Sequence, residues 1–304
     1  MLALKLKDIK FRNPIMTASG TFGYGDEVSD LVSLSKFGAI ITKSVTRFPR
    51  EGNPPPRICE VSSGMLNSIG LANLGVEKYI EKKIPFLNKI DSNVIINIAG
   101  TKVEDYIETL EMLEGASDKH VGYEINISCP NVKEGGQEFG VSSKLTKELT
   151  RELRLKTKRL LIMKLSPNVT SISEIGKAAE EGGADAVSAI NTVVGMAINP
   201  NKMKPILSTV LGGLSGPAIK PIALANIYKL SKSINIPIIG IGGISNDQDV
   251  IEFLLAGSSF IQLGTINYKH PNLVDSIVTN IKNFMREKSI DNIKSIIGRL
   301  TVDD

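Results

Sequence analysis

The sequence is poor in the residues that build metal centres and disulfide frameworks. It contains two cysteines and two histidines among 304 residues. Two cysteines are too few for a Cys₄ iron–sulfur cluster within the chain. They also argue against a disulfide framework and favour a reducing cytoplasm. We therefore predict no metal site in this chain and a cytoplasmic location.

Long apolar runs and dense basic stretches are also missing. No apolar run approaches the roughly 18 residues of a membrane span. The formal charge of +4 is a mild excess, and no stretch is basic enough to favour nucleic acid or a membrane surface. The first ten residues, MLALKLKDIK, are too charged for a signal peptide and alternate like a strand with one wet face. We expect neither nucleic acid nor a membrane as a partner.

What the chain does contain is a series of short β-rich runs separated by helical patterns. The eight runs span residues 14–19, 39–44, 94–100, 122–128, 160–166, 185–191, 236–243 and 259–265. Most are continuously apolar, as in parallel strands covered on both faces. Eight strand–helix repeats predict an α/β (β/α)₈ TIM barrel, with a small N-terminal β element and a single domain over residues 1–304. A doubly wound open sheet is the alternative, but its GxGxxG signature is missing.

Two connections between these runs exceed the usual length. One spans residues 45–75 and contains GNPPPR and SSGMLNSIGLANLG, and the other spans residues 192–216 and contains GGLSGP. Because they follow the second and sixth strands, both long loops should lie on the C-terminal rim, where barrels place their active sites. The same rim should receive Gly242-Gly243 and Gly264-Thr265, which end the last two strands. Glycines at these ends predict a phosphate site.

Two lysines stand inside apolar runs, Lys43 in ITKS and Lys164 in IMKLS. A buried lysine is costly unless it is paired, which argues for a role. One interpretation is a Schiff-base lysine, as in an aldolase. Another is a fixed cation beside an electron-rich cofactor or an anionic substrate. The lysines alone leave both open.

Carboxamides cluster on the same rim, which suits a flat ligand rich in heteroatoms. Asn97, Asn126 and Asn191 end the third, fourth and sixth strands, and Asn67 lies in the first long loop. Cys129 follows the fourth strand in NISCPNVKEGG. No histidine is well placed as a base, so this thiol is the candidate for proton transfer or nucleophilic attack.

The ordered set of motifs resembles the dihydroorotate dehydrogenase family. The matching stretches are GNPPPR, MLNSIGLAN, NISCPNVKEGG, KLSPNV, the INT of the sixth strand, GGLSGPAIKP and IGIGGI, and they cover nearly the whole chain. The resemblance implies an FMN-dependent barrel that oxidises dihydroorotate to orotate in pyrimidine biosynthesis. In this family Cys129 would remove the C5 proton while hydride passes from C6 to FMN.

The resemblance also implies the residues of two adjoining sites. The substrate residues would be Lys43, Asn67, Ser68, Ile69, Gly70, Leu71, Asn126, Asn191 and Thr192. The FMN residues would be Ser19, Lys43, Ser44, Asn97, Asn126, Lys164, Ile190, Gly216, Gly242, Gly243, Gly264 and Thr265. Within the latter group, Lys164 would be the cation that stabilises negative charge on reduced flavin.

The membrane-linked, quinone-using class of the family resembles this core but uses a serine base and an N-terminal helical extension, whereas this chain has Cys129 and an extension is not expected. Among the other classes, the stretches VKEGGQEFG and GGLSGPAIKP are similar to the NAD-linked class 1B catalytic subunit. Such subunits form homodimers that join an electron-transfer subunit carrying FAD and a [2Fe–2S] cluster, which gives a heterotetramer. The fumarate-using class 1A enzyme is the nearest alternative. More distant alternatives are a tRNA dihydrouridine synthase, the Schiff-base aldolase and a flavin-free binding barrel.

Overall fold

The protein is a closed barrel of eight parallel strands, seen in a computed structural model that describes residues 2–116, 118–128 and 139–302. We number the barrel strands β1 (Ile15–Thr17), β2 (Ala39–Ile41), β3 (Asn93–Ala99), β4 (Gly122–Asn126), β5 (Leu160–Lys164), β6 (Ala186–Ala189), β7 (Ile238–Ile241) and β8 (Ser258–Leu263). Each overlaps one of the eight predicted runs. The predicted (β/α)₈ barrel is confirmed, and the open-sheet alternative is wrong because β1 pairs with both β2 and β8.

Helices cover the outside of the barrel. They are α1 (Val76–Lys82), α2 (Ile84–Leu87), α3 (Val103–Glu114), α4 (Ser143–Lys156), α5 (Ile172–Glu181), α6 (Lys220–Ser231), α7 (Asp247–Ala256) and α8 (Leu273–Glu287). Short 3₁₀ helices span Asp26–Val28, Leu34–Lys36, Phe139–Val141, Pro217–Ile219, Thr265–Tyr268 and Ile293–Ile296. Within the described residues, no helix is both long and apolar enough to cross a membrane.

Local sequence explains how these helices begin, end and pack. The apolar stripe of α3 buries Tyr106, Leu110 and Leu113 against the barrel. The side chain of Asn246 accepts a hydrogen bond from the Asp249 amide at 2.9 Å and caps α7. Gly257 ends the same helix at a φ of 121°, which glycine adopts more readily than other residues.

An N-terminal hairpin pairs strands Leu4–Leu6 and Ile9–Phe11. Leu4, Leu6 and Phe11 are buried, while Lys5 faces solvent. This confirms the predicted strand with one wet face.

The two long connections form a sheet of their own. Its four antiparallel strands are Ile58–Val61, Gly64–Asn67, Val193–Met196 and Leu211–Ser215, which we call the rim sheet. A two-residue pair, Ile198–Asn199 with Lys204–Pro205, extends the second connection. The sequence predicted only that both connections lie on one rim. Their pairing brings Met65 opposite Ser215 and so ties the second barrel loop to the sixth.

Candidate active site

A cavity of about 630 Å³ lies at the C-terminal ends of the barrel strands, beside the rim sheet. Its volume is in the range of small-molecule and cofactor sites. Most of the predicted site residues line it, namely Ser19, Asn67, Ile69, Lys164, Ile190, Asn191, Thr192, Gly216, Gly242, Gly243, Gly264 and Thr265. The cavity therefore brings together residues from seven separate stretches of the sequence.

Glycines form one wall of the cavity. Gly216, Gly242 and Gly243 all have positive φ, at 98°, 123° and 75°. A Cβ on Gly243 would lie 2.6 Å from the backbone nitrogen of Lys220, and a Cβ on Gly216 would lie 2.8 Å from the Cα of Gly64. Both values are far below ordinary packing distances, so these positions leave no room for a side chain. A bare backbone of this kind suits close approach to a phosphate group.

Lys164 contributes a positively charged side chain to the floor of the cavity. Its side chain is 8% exposed, and its Nζ lies 3.4 Å from Oε1 of Glu124, a carboxylate with no exposed surface. A buried ammonium paired in this way is held in a defined position. The partner that offsets the cost of burying this lysine is Glu124, which the sequence analysis did not identify.

Carboxamides and a hydroxyl line the side of the cavity nearest the rim sheet. Asn191 Nδ2 donates to Oδ1 of Asn126 at 3.3 Å, and the Asn126 side chain thereby adjoins the lining. Asn191 Oδ1 accepts from the amide of Thr192 at 2.8 Å. Asn67 Nδ2 lies 3.4 Å from the Gly213 carbonyl, across the rim sheet. These groups present amide donors and acceptors without charge, as a planar heterocycle requires.

Lys43 follows β2 and is half-buried, outside the cavity lining. Among the residues that the structure describes, no carboxylate lies within ion-pair distance of its Nζ. Burial lowers the pKa of Lys43, and the cations Arg57 and Lys83 lower it further against the opposing effect of Glu27. A half-buried ammonium without a carboxylate partner would be stabilised by an anionic ligand.

The other predicted residues lie behind the cavity or in the adjacent loop, not in the lining. Ser44 Oγ donates to Asn97 Oδ1 at 2.6 Å, and both side chains are buried. Gly70 and Leu71 have positive φ, at 73° and 57°. The Ser68 hydroxyl is buried and has no hydrogen-bond partner among the described residues, so it remains a free donor in the predicted substrate loop.

Cys129 lies outside the described residues. The described residues that precede it in the sequence follow β4, and there the Ser128 amide donates to Asn126 Oδ1 at 3.2 Å. The role of Cys129 therefore stays a prediction.

Sequence reasoning missed the residue at the centre of the polar layer beneath the cavity. Glu124 accepts hydrogen bonds from Asn97, Lys164, Ser188 and Gln262. The signal was present in GYEINIS, where one acid interrupts an apolar strand as Lys43 and Lys164 interrupt theirs. An unpaired buried carboxylate is as unfavourable as an unpaired buried ammonium, so the argument applied to the lysines would also have identified Glu124.

Comparison with known proteins agrees with this geometry. A family model described as "Dihydroorotate dehydrogenase" matches residues 1–285. The chain belongs to the dihydroorotate dehydrogenase family. A protein of Bacteroides thetaiotaomicron is 49% identical over 301 residues, covering 99% of each chain. One from Thermoanaerobacter sp. is 47% identical over 302 residues, again covering 99% of each, and one from Bacteroides fragilis is 46% identical over 301 residues. All three are named "Dihydroorotate dehydrogenase B (NAD(+)), catalytic subunit".

Membership of the dihydroorotate dehydrogenase family decides between the chemical interpretations of the buried lysines. It favours a cation beside a cofactor and a substrate over a Schiff-base aldolase, and it argues against the tRNA-modifying alternative. The pairing of Lys164 with Glu124 points the same way, because a Schiff-base amine must be neutral when it attacks a carbonyl.

Proposed function

We propose that this chain is the catalytic subunit of an NAD-linked dihydroorotate dehydrogenase, which oxidises dihydroorotate to orotate in pyrimidine biosynthesis. The observation that carries the proposal is the single cavity in which a glycine wall, a buried lysine and neutral amides meet, in a chain whose full-length relatives bear that name. The activity follows from what each part of this cavity can bind.

The described residues fit FMN. The bare backbone at Gly216, Gly242 and Gly243 would receive the phosphate, and Lys164 would face the electron-rich part of the ring. FMN, when bound, supplies the acceptor for the hydride that leaves C6 of the substrate. Ser44 and Asn97 would support the ring from behind through their hydrogen-bonded chain to Glu124.

The described residues also fit an anionic, planar substrate. Asn67, Asn191 and Thr192 would hold its ring amides, while Lys43 would offset its carboxylate charge. The unpartnered Ser68 hydroxyl would complete this set. Cys129, which follows the last residue of β4 by three positions in the sequence, would take the C5 proton.

The assembly that we propose is a homodimer of this chain joined to an electron-transfer subunit that carries FAD and a [2Fe–2S] cluster. Four large side chains of the rim sheet support a subunit contact, because Ile58, Val194, Met196 and Leu211 are each about half exposed, between 46% and 56%. We place the enzyme in the cytoplasm, as the low cysteine content favours.

One purification tests the proposal. The chain is produced alone and together with its electron-transfer subunit, and its absorbance spectrum is recorded before and after addition of dihydroorotate. We expect bound FMN that dihydroorotate bleaches, and NAD⁺ reduction only when the partner is present. A chain that binds no FMN even after reconstitution would refute the proposal, and turnover with fumarate but not with NAD⁺ would assign it to class 1A.

A further inference from the structure

The buried carboxylate of Glu124 is the centre of a layer of polar side chains inside the barrel. Its Oε1 accepts from Asn97 Nδ2 at 2.7 Å and lies 3.4 Å from Lys164 Nζ. Its Oε2 accepts from Gln262 Nε2 at 2.6 Å and from Ser188 Oγ at 2.9 Å. Five barrel strands, β3, β4, β5, β6 and β8, therefore converge on one carboxylate.

The hydrogen bonds of this layer all point towards an ionised Glu124. The Ser44 hydroxyl donates to Asn97, and Asn97 in turn donates to Glu124, so the chain is polarised in one direction. Gln262 also directs its NH₂ group at the carboxylate and leaves its own Oε1 without a partner among the described residues. An acceptor surrounded by four donors matches a carboxylate, which has no proton to donate.

The ion pair of Glu124 and Lys164 is oriented with respect to the cavity. Lys164 lines the cavity, whereas Glu124 has no exposed surface and lies behind it. The neutral donors lie at 2.6 to 2.9 Å from the carboxylate, closer than the ammonium at 3.4 Å. The pair is therefore a dipole with its positive end at the cavity floor, and Glu124 offsets part of the positive field that enters the cavity.

We propose that Glu124 is a positioning residue that sets the place of Lys164 and limits its electrostatic effect on the bound flavin. This inference rests on the proposed function, because it requires FMN in this cavity. Because Glu124 has no exposed surface and is not part of the cavity lining, it would touch neither cofactor nor substrate and would act through Lys164. The measurable consequence is the midpoint potential of the bound FMN.

The test compares two variants that separate charge from shape. Glu124→Gln keeps the shape and removes the charge, and the layer can re-form if the Gln262 amide rotates to present its free Oε1. Glu124→Asp keeps the charge and shortens the side chain. The midpoint potential is measured by equilibration with a reference dye, FMN affinity by fluorescence titration, and folding by thermal melting.

We expect Glu124→Gln to favour reduced flavin by tenfold or more, because removing the buried negative charge leaves the positive charge of Lys164 less offset in a site of low dielectric constant. That factor is an upward shift of about 30 mV or more for a two-electron couple. Glu124→Asp should stay within threefold of wild type. Ser188→Ala is the matched control, because it removes one hydrogen bond from the same carboxylate without changing charge, and it should also stay within threefold.

The opposite pattern, with Glu124→Gln like wild type and Glu124→Asp shifted, would overturn the proposal and leave Glu124 a packing residue. Should Glu124→Gln fail to fold, the double variant Glu124→Gln/Lys164→Met removes both charges of the buried pair. The equilibrium constant for reduction of the bound FMN should be at least threefold lower in this double variant than in wild type. An equilibrium constant equal to or above that of wild type would overturn the proposal. If the wild-type chain binds no FMN, the proposed function is refuted together with this inference. If the wild-type chain binds FMN and Glu124→Gln has the same midpoint potential as wild type, only this inference is refuted.

Discussion

The glycine wall makes a prediction about Gly243 that follows from backbone geometry. Gly243 follows β7 at a φ of 75°, in the left-handed region. Changing it to alanine adds one methyl group and no charge. That methyl group would lie 2.6 Å from the backbone nitrogen of Lys220, 2.7 Å from its Cβ and 2.8 Å from its Cα, at the start of α6. Either the loop after β7 or the start of α6 must move.

The size of the effect can be worked out from two contributions. An alanine in the left-handed region costs about 1–2 kcal/mol relative to glycine. The overlap with Lys220 involves backbone atoms, which side-chain rotation cannot relieve, and overpacking of this kind costs roughly 1–3 kcal/mol. If the phosphate requires the loop in this conformation, the strain should weaken FMN binding. Together the two contributions amount to roughly 2–5 kcal/mol, so FMN binding should weaken by about 30-fold or more.

The assay is a titration of FMN-depleted protein with FMN, followed by quenching of flavin fluorescence. Gly115→Ala is the matched control, because Gly115 ends α3 at a φ of −76° and a Cβ there would meet only carbonyl oxygens at 3.6 Å. We expect the control to bind FMN like wild type. If Gly243→Ala binds FMN within threefold of wild type while its melting temperature is unchanged, the glycine wall does not serve as a phosphate cradle.

Three further predictions concern proton transfer and charge. Cys129→Ala should keep FMN affinity within threefold and lose turnover by about 10²-fold or more, so normal turnover would reject the thiol as the base. Burial lowers the pKa of Lys43, so the affinity for orotate should fall as the pH rises, before the pH reaches the ordinary lysine pKa of about 10.4. Lys43→Gln should bind orotate weakly, and a pH dependence of orotate affinity that survives in this variant would point to another group. Burial also lowers the pKa of His120, against the opposing effect of Asp118. The unfolded chain then takes up its proton first, so the free energy of unfolding should fall as the pH drops below about 6.5 and continue to fall down to the folded-state pKa. Urea titrations at several pH values should show that the free energy of unfolding of His120→Gln falls less steeply with decreasing pH than that of wild type. The same pH dependence in both proteins would exclude this histidine as the cause.

The barrel could be predicted because each of its strands carries its own local signal. An apolar run such as VIINIAG is long enough for one buried strand and ends at a glycine. Eight such runs, separated by helical patterns, leave few other architectures. The ends of the strands then determine which side chains share a rim, so the sequence alone predicts that Lys164, Asn191 and Gly243 lie on the same rim.

The rim sheet could not be predicted in the same way. Its strand Gly64–Asn67 pairs with Leu211–Ser215, about 150 residues further along the chain. Both strands are short and contain glycine, and neither shows a strong alternation of apolar and polar residues. Pairing between such distant segments depends on the barrel bringing loop ends together, which no window of the sequence reveals.

The polar layer of Glu124 was missed for a related reason. Glu124 and Lys164 lie on adjacent strands, where Glu124 pairs with Ile162 and Asn126 pairs with Lys164. Because side chains alternate along a strand, both charged groups point to the same face, which only the register between β4 and β5 makes evident. Each residue alone reads as an isolated charge in an apolar run. Together they form an ion pair.

Stability does not explain why the barrel contains this pair. Barrel interiors are usually filled with layers of branched apolar side chains, and replacing a buried ion pair with apolar residues is often neutral or stabilising. Glu124 has no exposed surface, and each of its two oxygens is shared by two donors. Such an arrangement holds an ammonium at a fixed point in a site of low dielectric constant, where a charge acts most strongly on a ligand. The position of Lys164 at the cavity floor is thus the property that the buried carboxylate provides.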